Sequence, residues 1–187
     1  MKKNNNLLII DAYGFVFRAF YIQPRLTNPE GVPINAVYGF TSMLIKLLND
    51  FESRNIVIVF DGGGKNFRHA LYPDYKAHRP PIPEDLRVQL PLVRKVAESL
   101  NISMLECYGV EADDIIATVA HKANLEGKLA TIVSPDKDLT QLINHNINVY
   151  DPVKNKFVDA DEVFNAATEV FKLAVVDSKF VNLPKVE

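Results

Sequence analysis

A chain of 187 residues with 48% apolar content fits one domain with a sizeable core. Its single cysteine, Cys107, excludes an intrachain disulfide and a cysteine-based zinc site. Only four apolar residues (7–10) follow the polar start, too few for a signal-peptide core, and no run approaches membrane-spanning length, so a cytoplasmic protein without membrane contact is expected.

In chain order, the apolar run at 7–10 predicts a first strand. Residues 36–54 predict a helix, with Val37, Phe40, Leu44, Leu47, Leu48 and Phe51 recurring at intervals of three and four. A fully apolar strand follows at 56–60, as buried parallel strands read. Residues 62–83 show no period and hold glycines, prolines and basic residues; loops of that length inside a domain usually serve function or lack order. Residues 84–100 predict a second helix, which Pro91 should kink or split. Next come a strand at 102–105 and a helix from about 111 that stops at Gly127, a strand at 129–133, a short helix at 139–143 and a strand at 147–150. The alternation predicts an α/β fold with a mostly parallel central sheet flanked by helices.

Seven carboxylates fall where the predicted strands end or the following helix begins: Asp11, Asp61, Glu111, Asp113, Asp114, Asp136 and Asp138. Parallel strands would bring them to one edge of the sheet. The formal charge of −2 hides this concentration, because leaving out those seven gives +5 for the rest of the chain. Capping of helix N-termini explains one or two acids per site. Three within Glu111-Ala112-Asp113-Asp114 exceed that need, and on a helix 111 and 114 share a face while 113 points elsewhere. An all-oxygen cluster favours Mg²⁺ or Mn²⁺, and two such ions would serve phosphodiester hydrolysis.

Beside the acids lies a basic segment, with Lys65, Arg68, Lys76 and Arg79 against one acid, Asp74. Lys76, Arg68 and Arg79 are candidates to steer a scissile phosphate. Phe67, Tyr72 and Tyr75 interleave with them, which suits either stacking against unpaired bases or simple packing. Gly62-Gly63-Gly64-Lys65 lacks the Ser/Thr and the spacing of a phosphate loop. The four histidines show no metal-ligand spacing.

As a set, these residues resemble the 5′-nuclease domain of bacterial DNA polymerase I, within the flap endonuclease family. The matching stretches are Leu8-Ile9-Ile10-Asp11, Ala36-Val37-Tyr38-Gly39-Phe40, Val59-Phe60-Asp61, Phe67-Arg68-His69, Tyr75-Lys76-Ala77-His78-Arg79-Pro80, Glu84-Asp85-Leu86-Arg87, Glu111-Ala112-Asp113-Asp114 and Asp136-Lys137-Asp138-Leu139. The resemblance implies a PIN-like or resolvase-like core over residues 1–164, with the seven acids as its metal-binding set. It implies DNA contacts from Arg18, Arg68, Tyr75, Lys76 and Arg79, with Lys76 and Arg79 also catalytic. Residues 62–83 would lead into a helical arch that passes a single-stranded 5′ end. The implied activity is a 5′-3′ exonuclease or flap endonuclease acting on DNA 5′ ends or flaps in replication and repair. Residues 165–187 diverge from the family's further acids and helix-hairpin-helix region. The expectation is therefore a metal-dependent nuclease, whose activity the missing region could impair, or, as the alternative, an inactive domain that still binds DNA.

Overall fold

In the computed structural model, the described residues are 6–158, except 52 and 54, together with residue 163. The expected core boundary at 164 and the tail at 165–187 lie outside them. The elements are β1 (Leu7–Asp11), α1 (Ala12–Ile22), α2 (Asn35–Asp50), β2 (Asn55–Val59), α3 (Phe67–Leu71), α4 (Glu84–Arg87), α5 (Leu90–Ser99), β3 (Ser103–Leu105), α6 (Ala112–Leu125), β4 (Ala130–Val133), a 3₁₀ helix (Asp138–Leu142), β5 (Ile147–Asp151) and β6 (Lys156–Phe157). The strands form one sheet in the order β3-β2-β1-β4-β5-β6. Its first five strands run parallel and β6 is antiparallel.

Parallel strands bury both faces, and β1 shows why its run is wholly apolar. Leu8 and Ile10 join a core with Phe15, Phe40, Leu44, Val93 and Ala97 from α1, α2 and α5. Ile9 faces the other way, against Ile116 and Ala120 of α6. Strand order reverses at the β1–β4 junction, and the crevice outside the carboxyl ends of the strands at such a switch point is where α/β sheets hold ligands.

Four features depart from the sequence expectations. Residues 12–22 are helical although no helix was expected there, because Ala12-Tyr13-Gly14-Phe15-Val16-Phe17 is apolar almost all round and carries no clear stripe. The helix expected over 36–54 ends at Asp50, where Phe51 turns extended and sets its ring 5.0 Å from Tyr150. The segment 62–83 contains α3, opened by a capping box between Asn66 and His69. The helix expected at 139–143 is a 3₁₀ helix one residue earlier. Pro91 does split its helix, separating α4 from α5 and sitting in the first turn of α5, where a missing N–H costs nothing. Among the described residues no helix is long and apolar enough to cross a membrane.

Gln89, fully buried at the break between α4 and α5, ties this layer together. Its Oε1 accepts from Ala36 N (2.8 Å) and Val37 N (3.2 Å) at the start of α2. Its Nε2 donates to Asn35 Oδ1 (3.1 Å) and Asp85 O (2.7 Å). Gln89→Met keeps the volume and orphans those groups, so urea unfolding should show a loss of about 3 kcal/mol. A loss below about 0.5 kcal/mol would show that α2 does not depend on the amide.

Candidate active site

The carboxyl ends of β1 and β2 and the N-termini of α1 and α6 border an open cleft of about 550 Å³. Asp11, Asp61, Glu111, Asp113 and Asp136 line it, together with Arg18, Lys76 and Arg79. Asp11, the last residue of β1, caps α1: Oδ1 accepts from Gly14 N at 3.1 Å, and Oδ2 accepts from Ser134 Oγ at 2.8 Å. Gly14 is required at that point, because a Cβ there would lie 2.7 Å from Asp11 Oδ2 and from Pro135 Cδ. Asp61 follows β2 after one residue and accepts from Ala112 N at 2.8 Å, so it caps α6 from outside that helix. Asp136 accepts from Asp138 N at 2.8 Å, at the start of the 3₁₀ helix. Gly62 is equally constrained, since a Cβ there would sit 1.8 Å from the Cys107 carbonyl oxygen.

The acids of α6 divide as the helical spacing predicts. Asp114 is gripped by both terminal nitrogens of Arg68 at 2.7 Å, which together hold its pKa below the ordinary carboxylate range. Glu111 accepts from Asn66 Nδ2 (2.6 Å), Lys76 Nζ (2.9 Å) and Tyr75 Oη (3.1 Å). Burial pushes its pKa up, but Lys76 and the hydrogen bonds outweigh it and the net direction is down. Lys76 is raised: burial opposes this, and the contacts with Glu111 and Tyr75 prevail. Lys76 also adopts φ 57°, a left-handed conformation that a non-glycine residue holds only when its surroundings compensate.

Asp113 points into the cleft, and its carboxylate accepts no hydrogen bond among the described residues. Burial, then Asp11, Asp136 and Asp61, raise its pKa from 3.8 to about 6. Burial is likewise the main cause of the upward shift of Asp11. The acids ring the cleft rather than meet at a point, and among the described residues no three stand together at metal-holding distance. The donor set nevertheless fits a hard divalent cation: only oxygens, a half-buried unpaired carboxylate, and acids whose charge is disfavoured by their neighbours.

Neither Asp138 nor Asp114 lines the cleft, and Asp114 is turned to Arg68. Arg68 is committed to Asp114, whereas Arg18 and Arg79 have no ion-pair partner among the described residues. The expected aromatic interleaving also shifts. Phe67 lies under the Arg68 guanidinium at 4.6 Å, Tyr75 is bound to Glu111, and Tyr72 lies away from the cleft. The aromatic wall comes instead from α1, where Tyr13 and Phe17 stand 5.9 Å apart and Phe17 and Tyr21 stack at 6.4 Å. Sequence reasoning gave no part to Ser134 or Asn66. Ser134 follows β4 directly and Asn66 stands three residues before His69, but their partners lie 123 and 45 residues away.

Fold and site define an open α/β domain with an all-carboxylate centre faced by cations at the switch point. Residues 6–168 match the family model described as the 5′-3′ exonuclease, N-terminal resolvase-like domain. The chain belongs to this family. It is 38% identical over 192 residues to a 5′-3′ exonuclease of Aquifex aeolicus, covering 97% of this chain and 64% of that protein. It is 43% identical over 171 residues to DNA polymerase I of Rhizobium leguminosarum, covering 87% of this chain and 17% of that protein. The chain thus spans less than two thirds of either relative. Among solved structures, a bacteriophage T5 flap endonuclease in a pseudo-enzyme-product complex with DNA and metal ions superposes with a TM-score of 0.65 at 21% identity, over 87% of this chain and 61% of that one. That likeness establishes the shared PIN-like fold.

The raised pKa of Asp113 makes its ionisation unfavourable to the fold. Its folded pKa lies above the unfolded one, so ionisation opposes folding above about pH 6 and has no effect below about pH 4. In a chelating buffer, Asp113→Asn should gain about 1–2 kcal/mol of stability near pH 7.5, discounted for partial exposure. The gain should shrink through the pH 6 to 4 window and vanish below it. Equal unfolding midpoints for the two proteins near pH 7.5 would rule the repulsion out.

Proposed function

We propose that this chain is the catalytic core of a divalent-cation-dependent 5′-3′ exonuclease or flap endonuclease, hydrolysing phosphodiesters at DNA 5′ ends or flaps. One observation carries the reading. An unpaired, half-buried Asp113 sits among Asp11, Asp61 and Asp136, across a single open cleft from Arg18, Lys76 and Arg79. A purely structural acid would be paired, as Asp114 is. Family membership and the T5 enzyme's complex with DNA and metal ions support the same reading.

Asp11, Asp61, Asp113 and Asp136 would hold Mg²⁺ or Mn²⁺, with two ions expected; Glu111 borders the site, while Asp114 and Asp138 stand further out. When bound, such ions supply an activated water and neutralise charge on the attacking and leaving oxygens. The protein's own groups do the remaining work. Ser134 and the Gly14 N–H fix Asp11, and the Ala112 N–H fixes Asp61, so both carboxylates are oriented before substrate arrives. Lys76 and Arg79 bring positive charge to the scissile phosphate, and Arg18 meets the chain of phosphates along α1. Tyr13, Phe17 and Tyr21 offer ring faces to unpaired bases, a contact that tolerates any sequence. Removal of primers and flaps in replication and repair is the corresponding cellular task.

The test is cleavage of a 5′-labelled flap duplex in Mg²⁺ or Mn²⁺, with a chelator control. Asp113→Ala should lose at least about a hundredfold in rate while keeping its fold by circular dichroism. Lys76→Ala should fall by about a hundredfold as well. Cleavage that survives either the chelator or Asp113→Ala would sink the assignment. Salt-sensitive flap binding with no product under either metal would identify a domain that binds without cutting.

A further inference from the structure

We infer that Asn66 is a positioning residue for this chemistry: it sets Glu111, and through Glu111 it anchors Lys76 at the cleft. The inference rests on the nuclease reading above. Asn66 is only 8% exposed, although Lys65 before it and Phe67 after it are both exposed. The two ends of its amide do different things. Oδ1 accepts from Arg68 N (3.0 Å) and His69 N (3.3 Å), which caps α3. Those two acceptor bonds fix which way the amide faces, and Nδ2 then meets Glu111 Oε1 at 2.6 Å. The same oxygen of Glu111 receives Lys76 Nζ at 2.9 Å, and its other oxygen receives Tyr75 Oη at 3.1 Å.

Capping alone does not call for an asparagine here, since serine, threonine or aspartate caps a helix as well. What asparagine adds is a donor that reaches Glu111. With that donor in place, both oxygens of Glu111 accept hydrogen bonds and the side chain is held toward Lys76. Lys76 is the cation whose backbone stands in the left-handed region, at φ 57°. It therefore depends on an external hold more than Arg79 does, which has no such partner among the described residues. Arg68 and Asp114 make a second tether between α3 and α6, so loss of the amide should loosen Lys76 without undocking α3.

Asn66→Ser and Asn66→Thr separate the two ends, because each keeps a capping acceptor and removes the amide donor that reaches Glu111. Both should lower kcat on the flap substrate roughly ten- to a hundredfold, with KM changed less than about twofold and Tm unchanged. In a Glu111→Ala background, Asn66→Ser should cause no further loss. Full activity in both single variants, or losses that simply add in the double variant, would overturn the inference while leaving the nuclease reading intact. Hydrogen exchange over residues 72–80 gives a readout that needs no cleavage. Faster exchange in both single variants supports the inference, and unchanged exchange overturns it even in a chain that does not cut. Failure of the unmodified chain to cut counts against the nuclease reading alone.

Discussion

The arrangement of this site follows from electrostatic repulsion between carboxylates that a parallel sheet delivers to one edge. Seven acids cannot share that edge ionised without compensation, and the protein divides them. Asp114 and Glu111 are answered by Arg68, Lys76, Tyr75 and Asn66, and their pKa values fall. Asp11 and Asp113 are not answered to the same degree, and theirs rise. The boundary between the two sets runs along one turn of α6. Glu111 and Asp114 anchor the basic segment, and Asp113 meets the cleft without a partner among the described residues.

Capping and cation holding looked like rival explanations for these acids, yet the geometry lets both stand. Asp61 and Asp136 each commit Oδ1 to a backbone N–H and leave Oδ2 without a hydrogen bond among the described residues. A capping bond restrains the side chain's rotamer, and it supplies a partial positive charge that moderates repulsion between neighbours. Asp11 is held at both oxygens, and each retains a second lone pair. The caps are thus how the fold carries an acidic centre at modest cost. Asp113 has neither a capping bond nor an ion-pair partner among the described residues, and burial together with Asp11, Asp136 and Asp61 raises its pKa to about 6.

Much of this was legible in the chain. The strands were readable because β1, β2 and β4 are buried on both faces and so become largely apolar runs, each ending close to an acid. The split at Pro91 was readable because proline cannot donate within a helix. The division of Glu111, Asp113 and Asp114 was readable from helical spacing alone. What stayed hidden depended on other kinds of information. α1 is apolar on nearly every side because Phe15 and Val16 enter the core while Tyr13, Phe17 and Tyr21 wall the cleft, so its pattern carried no face. Phe51 ends α2 by reaching aromatic partners about a hundred residues later. Ser134, Asn66 and Gln89 act across the fold, and no local period marks a residue for a partner that far away.

The basic segment shows the same limit more sharply. From composition, Arg68, Lys76 and Arg79 were equivalent candidates for substrate phosphates, differing only in position. Folding makes them unequal. Arg68 is held at both terminal nitrogens by one carboxylate, Lys76 at its ammonium by another, and Arg79 has no ion-pair partner among the described residues. A bidentate guanidinium pair is geometrically demanding and exchanges partners reluctantly, whereas an ammonium retains two further donors after one ion pair. The three cations therefore form a graded series, from a fixed strut through an anchored but still available charge to a free one. The strut on Asp114 stands outside the cleft, and the other two cations stand on its lining. Positive charge is thus least committed on the cleft lining that Asp11, Asp61 and Asp113 share, and most committed where it ties α3 to α6.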